Sequence, residues 1–329
     1  MKAFTNSNPK SVAQALTFIR DARAAGHTVA IAGGGSDMLG MMKERLVTPD
    51  TLVRLKGISG LDRVQAQNGG VRIGGQMTLD ALMREESIRA KYRVLAEAAQ
   101  DVATPQIRNV ATLAGNVCQR PWCWYFRNGF KCFKAGGNTC YSANGENEFH
   151  AIFGGGPSYI VHPSDTAAAL VALDATFAIA GASGPRTVKA SEFFTLPTAN
   201  AARENVLADG EILESVWLPP ATATVKSTYH KIMDREAWTH AVVSAAVVLD
   251  MNGDVCRSAR IVLGGVAPIP WRLPEVEQMF AGQRITPELA AKAGEAAVNG
   301  ARPLAKNGYK VPLTRNLVAR TIQDLAAHA

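Results

Sequence analysis

Long apolar runs and an export signal are both missing from this sequence. No window of its 329 residues approaches the ~18 uninterrupted apolar residues that a membrane helix needs. The opening residues, MKAFTNSNPKSVAQAL, contain neither the apolar core nor the small-residue cleavage site of a signal peptide. We therefore expect a soluble chain that is cytoplasmic by default, and its length predicts two or three domains.

Clusters of basic and aromatic residues are also scarce. Lys and Arg (35) outnumber Asp and Glu (28), for a net charge of +7, yet no run of five basic residues occurs and aromatic residues make up only 7%. A nucleic-acid surface usually concentrates such side chains. The positive charge therefore favours an acidic partner or a phosphate-bearing cofactor over nucleic acid.

The pattern of apolar residues changes near 221–226, where ATATV resembles a linker. Before it, short β-branched strands alternate with helices. After it, VVSAAVVLD and VCRSARIVLGGV flank an Asn252-Gly253 turn and predict a hairpin, and three helical stretches complete the chain. This pattern predicts a larger N-terminal region and a smaller C-terminal one.

Two glycine-containing turns are candidate ligand sites. GGGSD at 33–37 follows an apolar strand, and its unobstructed N–H groups suit a phosphate, although neither the G-x-G-x-x-G fingerprint nor a Walker loop is present. TLAGN at 112–116 follows what we predict to be a second strand. Either turn alone is as consistent with a tight connection, but two suit a long ligand held at two points.

Cysteine is rare, yet four of the five cysteines lie in one segment, CQRPWCWYFRNGFKCFKAGGNTC, at residues 118–140. A cytoplasmic location disfavours disulfides, and the absence of a C-x2-C pair weakens a zinc site. Four thiolates on a long loop favour an iron–sulfur cluster, whose corners are held from separate points. Zinc and inert thiols remain as alternatives, and Cys256 is expected to be a buried apolar residue.

Five motifs occur in an order that resembles the FAD-binding medium subunit of the xanthine dehydrogenase family of molybdenum hydroxylases. They are IAGGGSDMLGMMK, ATPQIRNVATLAGNV, HPSDTAAALVALDA, HKIMDREAWTHAVVSAAVVL and GGVAPIPWRLPEVE. The resemblance implies an α+β fold. It places a two-part FAD-binding domain, similar to the vanillyl-alcohol oxidase type, at 1–222 (parts at about 1–57 and 58–222), and a smaller α/β C-terminal domain at 226–329.

The resemblance also implies which residues contact FAD. Those expected at the pyrophosphate are Ala32, Gly33, Gly34, Gly35, Ser36, Asp37 and Met38. Those expected along the flavin and its chain are Ala103, Thr104, Thr112, Leu113, Ala114, Gly115 and Asn116, with Asp165 on the ribose or ribityl hydroxyls and Lys231 near the ring. Ala114 replaces a usual glycine, and Ser36 replaces a commoner threonine but keeps the hydroxyl.

Ordinary members of this family run almost directly from the TLGGN-type turn to the SD motif, whereas this chain carries an insert at about 117–157. That insert resembles the subset with an added [4Fe-4S] cluster, which includes 4-hydroxybenzoyl-CoA reductase and certain bacterial aldehyde oxidoreductases. The implied ligands are Cys118, Cys123, Cys132 and Cys140.

The resemblance implies a three-chain enzyme in which substrate reacts elsewhere. A large subunit would hold the molybdenum cofactor, a small one two [2Fe-2S] clusters, and this chain would pass electrons through FAD to oxygen, a quinone or another carrier. We expect an aldehyde oxidoreductase. The alternative within the family is a 4-hydroxybenzoyl-CoA reductase-like enzyme or another molybdenum hydroxylase. The alternative of another class is a zinc-stabilised nucleic-acid-binding protein. An export signal on a partner would place the complex in the periplasm.

Overall fold

The computed structural model describes residues 1–327, in which three sheets are each covered by helices. The strands are β1 Thr5–Ser7, β2 Val29–Ala32, β3 Thr51–Arg54, β4 Val64–Gln67, β5 Gly70–Gly74, β6 Thr176–Ala180, β7 Arg186–Lys189, β8 Ile212–Leu218, β9 Val225–Ile232, β10 Val243–Asn252, β11 Val255–Gly264, β12 Trp271–Arg272 and β13 Gln283–Arg284. The helices are α1 Val12–Ala24, α2 Met38–Lys43, α3 Leu79–Arg84, α4 Glu86–Lys91, α5 Arg93–Gln100, α6 Pro105–Arg108, α7 Leu113–Val117, α8 Trp124–Arg127, α9 Asp165–Ala172, α10 Ala190–Phe193, α11 Pro274–Gln278, α12 Pro287–Ala296 and α13 Lys310–Ala327.

The first sheet is parallel, in the order β1-β3-β2. Helix α1 connects β1 to β2 and starts at Ser11, whose hydroxyl accepts a hydrogen bond from the Gln14 N–H at 3.1 Å. Ala15 and Ile19 of α1 are buried against this sheet. The glycine turn therefore begins at the carboxyl end of a parallel strand, where ligands commonly bind in α/β sheets.

The second sheet is antiparallel, in the order β4-β5-β8-β6-β7. Helices α3, α5 and α9 share its core, and every residue of α9 is buried. A helix that is apolar all round needs neighbours on every side, which explains the alanine-rich sequence of α9. Its N-terminus is consequently fixed at the centre of the molecule.

The third sheet, β12-β11-β10-β9, is antiparallel, and β13 adds to β11. Strands β10 and β11 form the predicted hairpin, with Gly253 at a φ of +59° in the turn. Helices α12 and α13 pack on this sheet around a separate core that includes Phe280 and Ile322. The α+β class predicted from the sequence is confirmed.

Within residues 1–327, none of the helices is both long enough and apolar enough to cross a membrane.

Candidate cofactor site

A cavity of about 620 Å³ lies where the glycine turn after β2, the N-terminus of α9 and the β9–β10 loop meet. Its lining is largely apolar, with a few carboxylates and imidazoles. The residues that line it are Ser36, Asp37, Val102, Ala103, Ile107, Ala111, Asn116, Gln119, Trp122, Cys123, Trp124, Glu146, Glu148, Phe149, His150, Val161, Pro163, Asp165, Asp234, Arg235, Trp238, Thr239, His240 and Ala241. A large apolar cavity with a few convergent polar groups is the usual form of a cofactor site.

The two glycine-containing turns pack directly against each other. A Cβ atom at Gly34 would lie 1.7 Å from the carbonyl oxygen of Val110, and one at Gly33 would lie 2.5 Å from the Thr112 hydroxyl. Glycine is therefore required at 33 and 34 by the close approach of two backbones. Gly35 instead adopts a φ of +79°, which favours glycine for conformational reasons.

The prediction of a strand before the second turn is wrong. Helix α6 and a short connection precede it, and Thr112 is the N-cap of α7, with its hydroxyl accepting from the Gly115 N–H at 3.2 Å. The Thr-x-x-Gly spacing is a helix N-terminus signal as much as a turn signal. Short apolar runs do not distinguish a buried strand from a buried helix.

Asn116 is held in place from the start of α9. Its Oδ1 accepts hydrogen bonds of 2.6 Å from the hydroxyls of both Ser164 and Thr166. Because the carbonyl oxygen is occupied, the amide NH₂ is the group that Asn116 offers to the cavity it lines. The HPSDT motif thus positions a side chain of the TLAGN motif.

Asp165 belongs to a buried ion-pair network. One oxygen accepts from the Tyr229 hydroxyl at 2.6 Å and the other from the Lys231 amine at 2.8 Å, and Lys231 also donates to the Asp101 carbonyl at 2.8 Å. The Lys231 side chain is fully buried behind Asp165 and does not line the cavity. Burial raises the pKa of Tyr229 well above its usual value and keeps its proton on the hydroxyl.

The loop between β9 and β10 covers one side of the cavity. The Trp238 N–H donates to the Ala103 carbonyl at 3.1 Å, and both residues have left-handed backbone conformations, with φ of +72° and +47°. Such conformations cost about 1–3 kcal/mol each in residues other than glycine and are common at functional sites. His240, also from this loop, is kept neutral because burial lowers its pKa.

Five of the residues predicted to contact FAD line the cavity: Ser36, Asp37, Ala103, Asn116 and Asp165. The others surround it without lining it. Ala32 and Met38 belong to the core of the first sheet, and Leu113 is fully buried in that of the second. Gly33, Gly34, Gly35, Thr104, Thr112 and Gly115 shape the turns, and the Ala114 methyl group lies against Gly75.

The sequence analysis missed the residues of the β9–β10 loop and Trp122. The loop lies within HKIMDREAWTHAVVS, of which only Lys231 was assigned. Its exposed Trp238 amid charged residues was a usable signal, because a large apolar side chain in a polar loop commonly marks a contact.

The cysteine segment is anchored to the first glycine turn. Arg127, which is buried, donates to one oxygen of Asp37 at 2.7 Å, and the Arg120 N–H donates to the other at 3.1 Å. The Arg127 guanidinium also lies 4.3 Å from the centre of the Trp122 ring. Asp37 therefore joins the glycine turn to the cysteine segment.

Three of the four clustered cysteines lie together. Cys123 lines the cavity, and the neighbouring thiols of Cys132 and Cys140 contribute to raising its pKa, although burial is the main cause of the shift to about 11. Cys118 lies at the end of α7, packed against the second-sheet core, and burial raises its pKa to about 12. Cys256 is fully buried in the third-sheet core, as predicted.

Across residues 1–327, no three His, Cys, Asp or Glu side chains converge on a position for a single metal ion. A zinc site needs its ligands around one point. The thiols of a cluster bind separate irons and lie farther apart.

Sequence and structure comparisons extend the description. Residues 2–221 match the family described as the FAD binding domain in molybdopterin dehydrogenase, and residues 228–325 match the CO dehydrogenase flavoprotein C-terminal domain. The chain is 32% identical to the aldehyde oxidoreductase FAD-binding subunit PaoB of Escherichia coli K12, over 100% of both chains. It is 26% identical to the carbon monoxide dehydrogenase medium chain of Afipia carboxidovorans, over 99% of this chain and 98% of the relative.

Among solved structures, quinoline 2-oxidoreductase from Pseudomonas putida 86 superposes with a TM-score of 0.78 at 24% identity, covering 100% of this chain and 99% of the other. The fold is thus shared over the full described length. The chain belongs to the family of FAD-binding medium subunits of the molybdenum hydroxylases, and it is an oxidoreductase subunit.

Proposed function

We propose that this chain is the FAD subunit of a molybdenum-dependent aldehyde oxidoreductase and that its cysteine insert holds a [4Fe-4S] cluster beside the flavin. The observation that carries this proposal is a shared cavity: residues of the first glycine turn and Cys123 line the same space. Two redox groups seated there would be close enough to exchange electrons. The choice of aldehyde rests on the similarity to PaoB.

The cavity suits the two ends of FAD differently. At the glycine-turn end, Ser36 would offer a hydroxyl and the turn its backbone N–H groups to a pyrophosphate. Gln76 lies beside Gly33, and its Oε1 is buried without a hydrogen-bond partner among residues 1–327. Because this atom is an acceptor, it suits a hydroxyl group of the ligand rather than a phosphate oxygen.

At the other end, Asn116 and Asp165 are fixed by buried hydrogen bonds and face the cavity. Both would bind hydroxyl or ring polar groups of the flavin and its chain. Lys231 would act through Asp165, by pairing with the carboxylate and orienting it. FAD itself supplies the ability to accept electrons and release them to an acceptor.

The insert suits a cluster because a buried lysine lies near one of its thiols. Lys134 is buried, lies near enough to Cys132 to interact with its charge, and pairs with Glu204 at 3.1 Å. An iron–sulfur cluster with thiolate ligands is anionic, and nearby positive charge would favour its binding and reduction.

The proposed partners are a large molybdenum-cofactor subunit and a small subunit with two [2Fe-2S] clusters. The medium-chain relatives of carbon monoxide dehydrogenase support this assignment. Electrons would enter from the small subunit and leave through FAD to oxygen, a quinone or another carrier.

The test is to co-express the chain with its genomic neighbours, purify the complex, and measure iron, labile sulfide, flavin and molybdenum. We expect flavin absorption with a broad iron–sulfur shoulder, and reduction of both by aldehydes. Reduction of aromatic acyl-CoA thioesters without aldehyde oxidation would instead show a 4-hydroxybenzoyl-CoA reductase-like enzyme. A colourless protein containing one tightly bound zinc would refute both cofactor assignments.

A further inference from the structure

The four clustered cysteines have two different kinds of surroundings. Polar groups lie beside the sulfurs of Cys123 and Cys140, and a buried lysine lies near that of Cys132. The Cys118 sulfur has no hydrogen-bonding neighbour among residues 1–327 and packs with the apolar core of the second sheet. This difference bears on the proposed cluster, because N–H groups near thiolate ligands stabilise their charge and tune the potential.

Cys123 has a polar neighbour beside its sulfur. The Nε2 atom of His150 lies 3.3 Å from that sulfur. With an N–H on Nε2, His150 is a donor to the sulfur.

The sulfur of Cys140 also has polar neighbours. The Tyr159 N–H donates to its sulfur at 3.5 Å, and the Ser142 hydroxyl lies 3.2 Å away. These contacts join the interior of the insert to the residues just before the HPSD motif, where Tyr159 lies.

The loop that presents these sulfurs is closely packed. A Cβ atom at Gly137 would lie 1.9 Å from the Lys131 carbonyl oxygen, and one at Gly145 would lie 2.1 Å from the Tyr125 hydroxyl. That hydroxyl accepts from the Glu146 N–H at 2.6 Å. The irregular segment is therefore held in one conformation, as a preorganised ligand loop requires.

Cys118 lies at the end of a buried helix. It is the C-cap of α7 and packs against the core of the second sheet. Its N–H donates to the Ala114 carbonyl at 2.9 Å, which makes its backbone part of the helix. The thiols that interact with Cys123 are those of Cys132 and Cys140.

We propose, on the basis of the cluster proposed above, that the [4Fe-4S] group is held by the thiolates of Cys123, Cys132 and Cys140, and that Cys118 is a core residue rather than a ligand. His150 is a positioning residue that donates a hydrogen bond to Cys123. One iron of the cluster then has no cysteine ligand. Such an iron is more easily lost than the three that are bound by thiolates.

The first test compares cysteine variants of the purified complex by iron and labile-sulfide content. Cys123→Ala, Cys132→Ala and Cys140→Ala are expected to lose about half of the iron and sulfide of the complex, because the two [2Fe-2S] clusters of the small subunit hold the rest, while Cys118→Ala retains the wild-type content. Cys256→Ala is the matched control, because it also removes a thiol from an apolar core. Loss of iron and sulfide in Cys118→Ala, with flavin content and thermal midpoint equal to those of Cys256→Ala, would overturn the assignment.

The second test needs no variant. One equivalent of ferricyanide removes one electron from [4Fe-4S]²⁺, and loss of the thiolate-free iron as Fe²⁺ leaves [3Fe-4S]⁺, which has a distinctive EPR signal. We expect that signal in the wild-type complex, and its regeneration to [4Fe-4S] by Fe²⁺ with a reductant. A wild-type cluster that resists this oxidation would contradict a three-thiolate site.

His150 is tested by its effect on the midpoint potential of the cluster. His150→Phe removes the donor and is expected to lower the potential, while His150→Gln, which retains an N–H, lowers it less. Equal potentials in all three proteins would exclude the donor role. Wild-type complex whose iron and sulfide are accounted for by the two [2Fe-2S] clusters of the small subunit alone would instead refute the proposed [4Fe-4S] cluster, and with it this assignment of ligands.

Discussion

The two ends of the cavity are constructed differently. At the glycine-turn end, strands and helices bring the backbones of Gly34 and Val110 together, and small residues permit the contact. At the insert end, little regular structure is present, and buried ionic and hydroxyl contacts such as Arg127 to Asp37 hold the loop. Packing specifies the first end, whereas individual polar contacts and the proposed cluster specify the second, so the two ends should respond differently to substitution.

The largest effect is expected at the contact between the turns. Gly34→Ala places a methyl group where the Val110 carbonyl lies, so one backbone must move, at a cost of at least about 3 kcal/mol in the free energy of unfolding. We expect loss of bound flavin in absorption spectra together with a lower thermal midpoint. Gly40→Ala is the control, because in the part of the chain that the structure describes no side chain or neighbouring segment lies within 4 Å of its Cβ position. Retention of flavin in Gly34→Ala would show that the turns can separate without affecting the site.

The next effect concerns the buried ion pair behind the cavity. Lys231→Met leaves the Asp165 carboxylate buried without its cation, which typically costs about 3–5 kcal/mol. Urea unfolding of the purified protein measures this loss, and Lys43→Met, at an exposed position, serves as the control. An unchanged unfolding free energy in Lys231→Met would mean that Asp165 does not depend on Lys231.

A smaller and more local effect is expected at the insert. Arg127→Met removes the contact with Asp37. If the free energy of local unfolding of the insert falls by about 2 kcal/mol, proteolysis that requires this unfolding becomes roughly 30-fold faster. Limited proteolysis should show the acceleration between residues 118 and 150, while Lys131→Met, on the same segment but exposed, leaves the rate unchanged. Faster cleavage in the glycine-turn region instead would remove the distinction between the two ends.

The smallest effect is a pH dependence from Lys310. Burial lowers its pKa to about 7 in the folded chain, below the 10.5 of an exposed lysine. Between these values the unfolded state binds a proton that the folded state does not, so this residue makes stability rise with pH. The unfolding free energy of the wild type minus that of Lys310→Met should therefore rise by about 1.4 kcal/mol per pH unit between pH 7.5 and 9. Parallel pH curves would show that Lys310 is not desolvated as described.

The parts of the site that could be predicted from the sequence are those set by local motifs, and the parts that could not depend on tertiary contacts. The glycine turns and Asp165 were predicted because their motifs are local, and the structure brings Ser36, Asn116 and Asp165 to one cavity. The orientation of Lys231 was not predictable, since it depends on the contacts of β9 with α9 and α5. Leu113 lies within the predicted TLAGN motif but is buried in the core, because a motif gives a position in the chain and not the direction of each side chain.

Similar reasons apply to the secondary structure. Thr78 is the N-cap of α3, and its hydroxyl accepts from the Ala81 N–H at 3.2 Å, so the signal for this helix start is local. For α9, the N-cap is Ser164, with Asp165 in the first turn, and both residue types suit either place. The insert was identified by its cysteines, yet its division into three neighbouring thiols and a core residue depends on tertiary packing, which spacing does not encode.

Asp37 accepts hydrogen bonds from the insert through both carboxylate oxygens while it lines the cavity at the glycine turn. Any ligand that fixes this carboxylate from the cavity side also fixes the insert, and ordering the insert prepares the carboxylate for that ligand. By thermodynamic reciprocity, each occupant then strengthens binding of the other by the same factor. FAD and the proposed cluster would consequently be acquired cooperatively during maturation, and chains that hold only one of them would be scarce.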